Sequence, residues 1–128
     1  KEVERIIIPV KNSITGEIEY KKHAEHENLT KIDEISIKIN HCLAAKTHNV
    51  KFLVSHNQVL KQCSEYLDAN YPLLSRINIE STNEAAKVAS LGLGIGAIAN
   101  LETCLFYDLK IIDRDIVKNN FSTFWVLR

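Results

Sequence analysis

Three things are scarce in this 128-residue sequence: net charge, long apolar runs and paired cysteines. Sixteen Lys and Arg balance sixteen Asp and Glu, so no global field recruits nucleic acid or an anionic membrane. An anionic ligand would have to be held by local groups. No apolar run approaches the roughly 20 residues that span a bilayer. Lys1–Arg5 leads only into the short Ile6–Ile8 run, so no secretory leader is expected there. The three cysteines, Cys42, Cys63 and Cys104, are far apart and form no C-x-x-C pair. That spacing argues against a disulfide framework or a zinc site and for a reducing compartment, here the cytoplasm. All three are expected to be plain buried thiols, with no metal and no cofactor required. No internal repeat or low-complexity tract occurs. The chain opens on Lys1, without a methionine, and enters a strand almost at once. Part of a larger fold is therefore expected.

What is present is ordinary for a globular domain, with 45% hydrophobic and 25% charged residues. Arg5–Val10 (R-I-I-I-P-V) reads as a strand, with Pro9 at its end or on an edge because proline lacks an N–H. Glu17–Thr30 has no clean period; His23 and His26 lie in it among Lys and Glu, with no third ligand to make a metal site. Ile35–Ile39 alternates with period two and predicts a half-buried strand. Val50–Val54 predicts another, followed by a helix with Val59, Leu60, Cys63 and Leu67 on one face. The pattern repeats as strand Ile77–Glu80, then a helix of small residues with a capping box at Ser81 and Glu84. Gly94–Asn100 predicts a buried strand, and its glycines fit tight turns, not a nucleotide motif. The next helix should turn Leu101, Cys104 and Leu105 inward. Leu109–Ile112 and Thr123–Leu127 are the last predicted strands. Strands alternating with helices indicate an α/β fold with helices packed on a sheet.

Two turns share one local design, a strand running through hydroxyl and amide side chains into a helix: Ser55-His56-Asn57-Gln58 and Ser81-Thr82-Asn83-Glu84. Unpaired N–H groups at a helix N-terminus can hold a carboxylate or phosphate. Ser55 and Ser81 can equally serve only as caps. With Lys11-Asn12-Ser13 after the first strand, the two turns point to a pocket for a small polar or anionic ligand. His56 could act as a base, but no nucleophile is marked beside it. A pairing with Cys63 is disfavoured because Cys63 lies on the apolar face. His41, between Ile39 and Leu43, reads as a packed or capping histidine.

The motifs resemble those of the prephenate dehydratase family. Phe52–Cys63 (F-L-V-S-H-N-Q-V-L-K-Q-C) is similar to S-H-P-Q-A-L-x-Q-C and its preceding strand, with Asn57 for proline and Val59 for alanine. Ile8–Gly16 resembles V-P-x-E-N-S-x-x-G, Ile39–Leu43 resembles I-x-H-x-L, and Glu80–Ala86 resembles S-T-A-x-A-A. G-A-I-A-N followed by L-F-Y-D-L is similar to A-A-I-A-S and then L-Y-G-L. N-F-S-T-F-W-V-L is similar to N-x-T-R-F-x-V-L. Six motifs occur in the family's order across nearly the whole chain.

The resemblance implies a two-lobed α/β fold of the periplasmic-binding-protein type (type II), with residues 1–128 as a partial catalytic domain. It implies a carbon–oxygen lyase of phenylalanine biosynthesis, converting prephenate to phenylpyruvate with loss of CO₂ and water. Carried over by motif, Ser122 replaces the catalytic threonine, and Asn12 and Gln58 are polar groups touching substrate. Lys11, Ser13, Ser55, His56, Ser81, Thr82, Asn83, Thr123 and Phe124 would line the pocket. The partner implied is prephenate, a small dicarboxylate, not nucleic acid or membrane; a homodimer is the assembly to test. There are departures. Lys11 stands for a glutamate, Thr123 for the arginine of T-R-F, and Asp108 for a glycine. Lys11 could supply the positive charge that Thr123 lacks, though without arginine's fork. An apolar helix after the first turn, the G-x-x-G-T-F-S motif and a regulatory ACT domain are not found in this sequence. A prephenate decarboxylase that does not dehydrate, and a non-catalytic domain that binds a small carboxylate or is a degenerate relative kept only as a fold, are the alternative readings.

Overall fold

Alternating and continuous apolar runs become two separate sheets in the computed structural model, which describes residues 5–18 and 28–128. His23 and His26 lie outside the described residues. The chain divides into two units, one of Asn40–Lys118 and one of Lys1–Ile39 with Asn119–Arg128.

The Asn40–Lys118 unit contains strands β4 (His41–Ala45), β5 (Phe52–Ser55), β6 (Ser75–Asn78), β7 (Ile95–Asn100) and β8 (Lys110–Asp113). They lie in the order β6-β5-β7-β4-β8, with β5 parallel to β6 and β7 and the β7–β4 and β4–β8 pairs antiparallel. Helices α1 (Asn57–Gln62), α2 (Ser64–Asn70), α3 (Thr82–Ala89) and α4 (Leu101–Phe106) pack on it. Strand alternation sends successive side chains into two cores. Cys42, Ala44, Val54, Ala97 and Ala99 meet Ala85, Ala86 and Ala89 of α3 and Cys104 of α4. Leu43, Leu53 and Ile98 meet Val59, Leu60, Cys63 and Leu67. All five residues of β4 are buried, though the sequence reading expects no strand there.

The other unit is a four-stranded antiparallel sheet in the order β2-β1-β9-β3, from β1 (Ile6–Asn12), β2 (Gly16–Glu17), β3 (Lys31–Lys38) and β9 (Phe121–Leu127). Its central strand, β9, comes from the end of the sequence. Pro9 lies inside β1, not at its end. The register slips between Pro9 and Lys11, and β2 reaches only Lys11 and Asn12, so β1 is locally an edge at the proline.

Several expectations need correction. The strand around Ile35–Ile39 is not half-buried: all eight residues of β3 are exposed, with Ile35 at 40% and Ile37 at 48%. No described element covers that face. The helix expected through Val59–Leu67 is two short helices, broken at Cys63, where ψ turns to 1° and Ser64 Oγ donates to the Lys61 carbonyl. Leu105 does not face inward; it is 56% exposed, and Cys104 alone is buried in six-residue α4. Several strands are displaced by one or two residues from their expected ends, as at β6 and β8. Of the two glycines expected to make tight turns, Gly94 does so at φ +77°, but Gly96 lies inside buried β7, where the side chains of Val50 and Leu53 crowd the place a Cβ would take. No helix among the described residues is long and apolar enough to cross a membrane.

Candidate functional site

The turn after β1 is built around one carboxamide. Asn12 is 1% exposed, and its Oδ1 accepts from the N–H groups of Ile14 (2.9 Å) and Thr15 (3.2 Å), an Asx turn. Its Nδ2 donates to Asn120 Oδ1 at 2.8 Å, Ser122 Oγ at 3.1 Å and the Phe121 carbonyl at 3.2 Å. Flipping the amide would set Nδ2 against two N–H groups and Oδ1 against oxygen acceptors, so the backbone itself decides the orientation. Ser13 completes the joint: its hydroxyl donates to the Asn119 carbonyl (2.9 Å) and accepts from the Phe121 N–H (2.8 Å). Asn12 and Ser122 are register partners across β1 and β9.

The consequence for Ser122 is chemical. Its oxygen accepts a proton from Asn12, and among the described residues nothing accepts the proton of Ser122 itself. A half-buried hydroxyl held in this way keeps its own proton available for donation to a ligand.

Lys11 and Thr123, expected beside Ser122, are on the other face of the sheet. They too are register partners, and neighbouring residues of a strand point to opposite sides. With Val10, Gly16, Glu17, Glu34 and Trp125 they line a pocket of about 420 Å³. Thr123 Oγ1 lies 3.1 Å from Ser36 Oγ. Glu34 accepts from Lys31 Nζ (2.8 Å) and Trp125 Nε1 (3.1 Å), bonds that hold its carboxyl below the usual range. The two charge departures at positions 11 and 123 thus fall on one cross-strand pair. Phe124 is half-buried on the Ser122 side by alternation.

The two hydroxyl-rich turns differ. Ser55 does not cap its helix. It is fully buried, and its hydroxyl donates to the Ile98 carbonyl at 2.7 Å, which takes it out of a pocket lining. The cap of α1 is His56, whose Nδ1 accepts from the Gln58 N–H at 3.1 Å; Asn78 Oδ1 takes the Asn57 N–H at 2.8 Å. With those N–H groups occupied, this turn is a poor anion cradle, and Nδ1 of His56 is committed to the backbone. Ser81 does cap: its Oγ accepts from the Glu84 N–H at 3.0 Å. Among the described residues the N–H groups of Thr82 and Asn83 meet no acceptor, as expected of the first positions of a helix.

His41 is buried and packed. Its Nε2 lies 2.6 Å from Gln62 Oε1, its Nδ1 has no partner among the described residues, and burial lowers its pKa. The three cysteines are free and buried; burial pushes Cys63 up to about 12 and Cys104 to about 11, so neither serves as a thiolate. No three His, Cys, Asp or Glu side chains among the described residues converge as metal ligands would. Sequence reasoning missed Asn120, Thr15 and Asn78. Asn120 had a signal, as the leading asparagine of the N-F-S-T motif, but its role depends on a partner 108 positions away.

Two sheets with packed helices define the class: an α/β fold of the periplasmic-binding-protein-like type shared by the prephenate dehydratases. The prephenate dehydratase of Arthrobacter aurescens, solved with L-Phe, matches with TM-score 0.72 at 21% identity, over 96% of this chain and 44% of that one. The family model for prephenate dehydratase matches residues 1–128, and the chain belongs to that family. It is 35% identical to the bifunctional chorismate mutase/prephenate dehydratase of Aquifex aeolicus, over 94% of this chain and 35% of that protein. It is 31% identical to arogenate dehydratase/prephenate dehydratase 1, chloroplastic, of Arabidopsis thaliana, over 98% of this chain and 34% of that protein. The chain therefore spans about a third of the length of these curated relatives.

Proposed function

We propose that this chain carries part of the machinery of a cytoplasmic prephenate dehydratase, with Ser122 as hydrogen-bond donor to the departing hydroxyl. In that reaction the ring carboxylate leaves as CO₂ and its electron pair enters the ring. The carbon–oxygen bond to the ring hydroxyl then breaks, and hydroxide leaves as water after taking a proton from solvent. The product is phenylpyruvate. Because the ring becomes aromatic, the protein needs mainly to orient substrate and stabilise developing charge on the leaving oxygen. The observation that carries this reading is the Asn12 amide donating to Ser122 Oγ at 3.1 Å, which leaves the serine's own proton available for donation.

Asn12 then acts through Ser122 and not on substrate, because both sides of its amide are already occupied. Within the Asn40–Lys118 unit, the N–H groups of Thr82 and Asn83 meet no acceptor among the described residues, which supports the Ser81 turn as a segment able to hold a carboxylate. The position of Thr123 bears on the decarboxylase alternative. It faces away from Ser122, so loss of the motif's arginine does not by itself remove the hydroxyl donor.

The test is phenylpyruvate formation from prephenate at neutral pH, against a protein-free control. Ser122→Ala should lower kcat about 100-fold or more, the usual contribution of a positioned acid, and Ser122→Thr should retain most of it. Unchanged turnover in Ser122→Ala would remove Ser122 from the mechanism. A non-aromatic keto acid as product would point to the decarboxylase instead.

A further inference from the structure

We propose that Asn120 is a positioning residue for the reaction, acting through Asn12 to aim the Ser122 hydroxyl; the inference rests on the reading of Ser122 as donor. Asn120 is wholly buried. Its carbonyl accepts the Ile39 N–H at 2.7 Å, which ties the backbone before β9 to the end of β3. Its Oδ1 accepts the shorter of the side-chain bonds from Asn12 Nδ2, at 2.8 Å against 3.1 Å to Ser122. Asn12 has two amide hydrogens and three acceptors around them. One hydrogen is taken by Asn120, and the other is shared between Ser122 Oγ and the Phe121 carbonyl.

The geometry sets how the residue works. With Oδ1 of Asn12 pinned by two backbone N–H groups, the amide plane can still swing about that end. Asn120 holds the opposite corner, and so fixes where the second hydrogen points. Without it, a buried amide hydrogen has no partner, and Asn12 is free to turn toward the Phe121 carbonyl, releasing Ser122 Oγ. Ser122 would then donate to a neighbouring acceptor or rotate freely, and its proton would no longer be aimed at a departing oxygen. The residue touches no substrate in this scheme. Its effect should fall on kcat, with KM little changed, since only an interaction of the transition state is lost.

The experiment compares Asn120→Leu, which removes the acceptor at similar volume, with Asn120→Asp, which keeps an oxygen at the same place. Asn120→Ser serves where the leucine variant does not fold. Kinetics with prephenate are run on each variant and in the Ser122→Ala background. Nitrogen-edited NMR follows solvent exchange of the Asn12 side-chain amide hydrogens. We expect kcat to fall on the order of 10- to 100-fold in Asn120→Leu with KM unchanged, to recover in Asn120→Asp, and to fall no further when Ser122 is already alanine. One Asn12 amide hydrogen should lose its slow exchange. An equal loss in the Ser122→Ala background, no rescue by aspartate, or unaltered Asn12 exchange would overturn the proposal. If the wild-type protein makes no phenylpyruvate, the reaction reading fails separately, and the Asn12 exchange alone decides whether Asn120 positions the amide.

Discussion

The two units use polar side chains in opposite ways. In Asn40–Lys118, the groups beside the sheet are absorbed by the fold: His56 and Asn78 cap α1, Ser55 holds the Ile98 carbonyl, and Ser81 caps α3. Beneath them lie two apolar cores and a β4 buried along its whole length. In the other unit the sheet is open. β3 is exposed throughout, and the polar joint of Asn12, Ser13 and Asn120 leaves the hydroxyl proton of Ser122 without an acceptor among the described residues. A hydroxyl-rich turn is thus no guide to chemistry until its partners are known. The same residue types serve as caps where N–H groups need acceptors, and as a poised donor where the acceptors are already supplied.

The contrast can be broken by mutation. The largest difference should come from Leu53→Ala against Ile35→Ala. Leu53 is fully buried on the interior strand β5, and its loss should cost about 2–5 kcal/mol in urea unfolding. Ile35→Ala on the open face should cost under about 1 kcal/mol. Similar costs for the two would mean that the β3 face is covered in solution.

A smaller difference separates two glycines. A methyl group on Gly96 in β7 would stand 2.8 Å from Val50 Cγ1 and 3.0 Å from Leu53 Cδ2, overpacking worth about 1–3 kcal/mol. On Gly16, the first residue of β2, it would meet nothing within 4 Å, and only the φ of +84° would resist it, at about 1 kcal/mol. Melting temperatures of the two alanine variants should rank accordingly, and the reverse order would place the strain in the backbone and not in the core.

The smallest effect is a gain. Asp108 sits at φ +56° just past α4, where its N–H donates to the Leu105 carbonyl and the Leu109 N–H to the Cys104 carbonyl. This is the Schellman ending that glycine suits best, which accounts physically for the glycine of the family motif. Asp108→Gly should raise stability by about 0.5–1 kcal/mol. A loss on calorimetry would show that the aspartate's contact with Lys46, at 3.8 Å, outweighs the backbone strain.

Much of the fold could be read from the chain. The continuous runs at Val50–Val54 and Gly94–Asn100 and the helical face of Val59, Leu60, Cys63 and Leu67 lie within two residues of where they were expected. These are short-range patterns, legible in the spacing of apolar residues. β3 failed because alternation predicts which face is apolar but not whether anything covers it. Ser55 failed because a serine at a strand end, two residues before a helix, looks like its cap, while the carbonyl that claims it, Ile98, is 43 positions away.

The sequence by itself determined the family, through six ordered motifs, and the local elements, through periodicity and capping chemistry. It also named Ser122 and Asn12. Only tertiary structure decided that Lys11 and Thr123 share one face while Asn12 and Ser122 share the other, and that Asn120 is the third member of the joint. The reason is register. Which side chains meet across β1 and β9 depends on the pairing of strands more than 100 residues apart and on a one-residue slip at Pro9. Such a slip exchanges the two faces of a strand, and no local pattern encodes it.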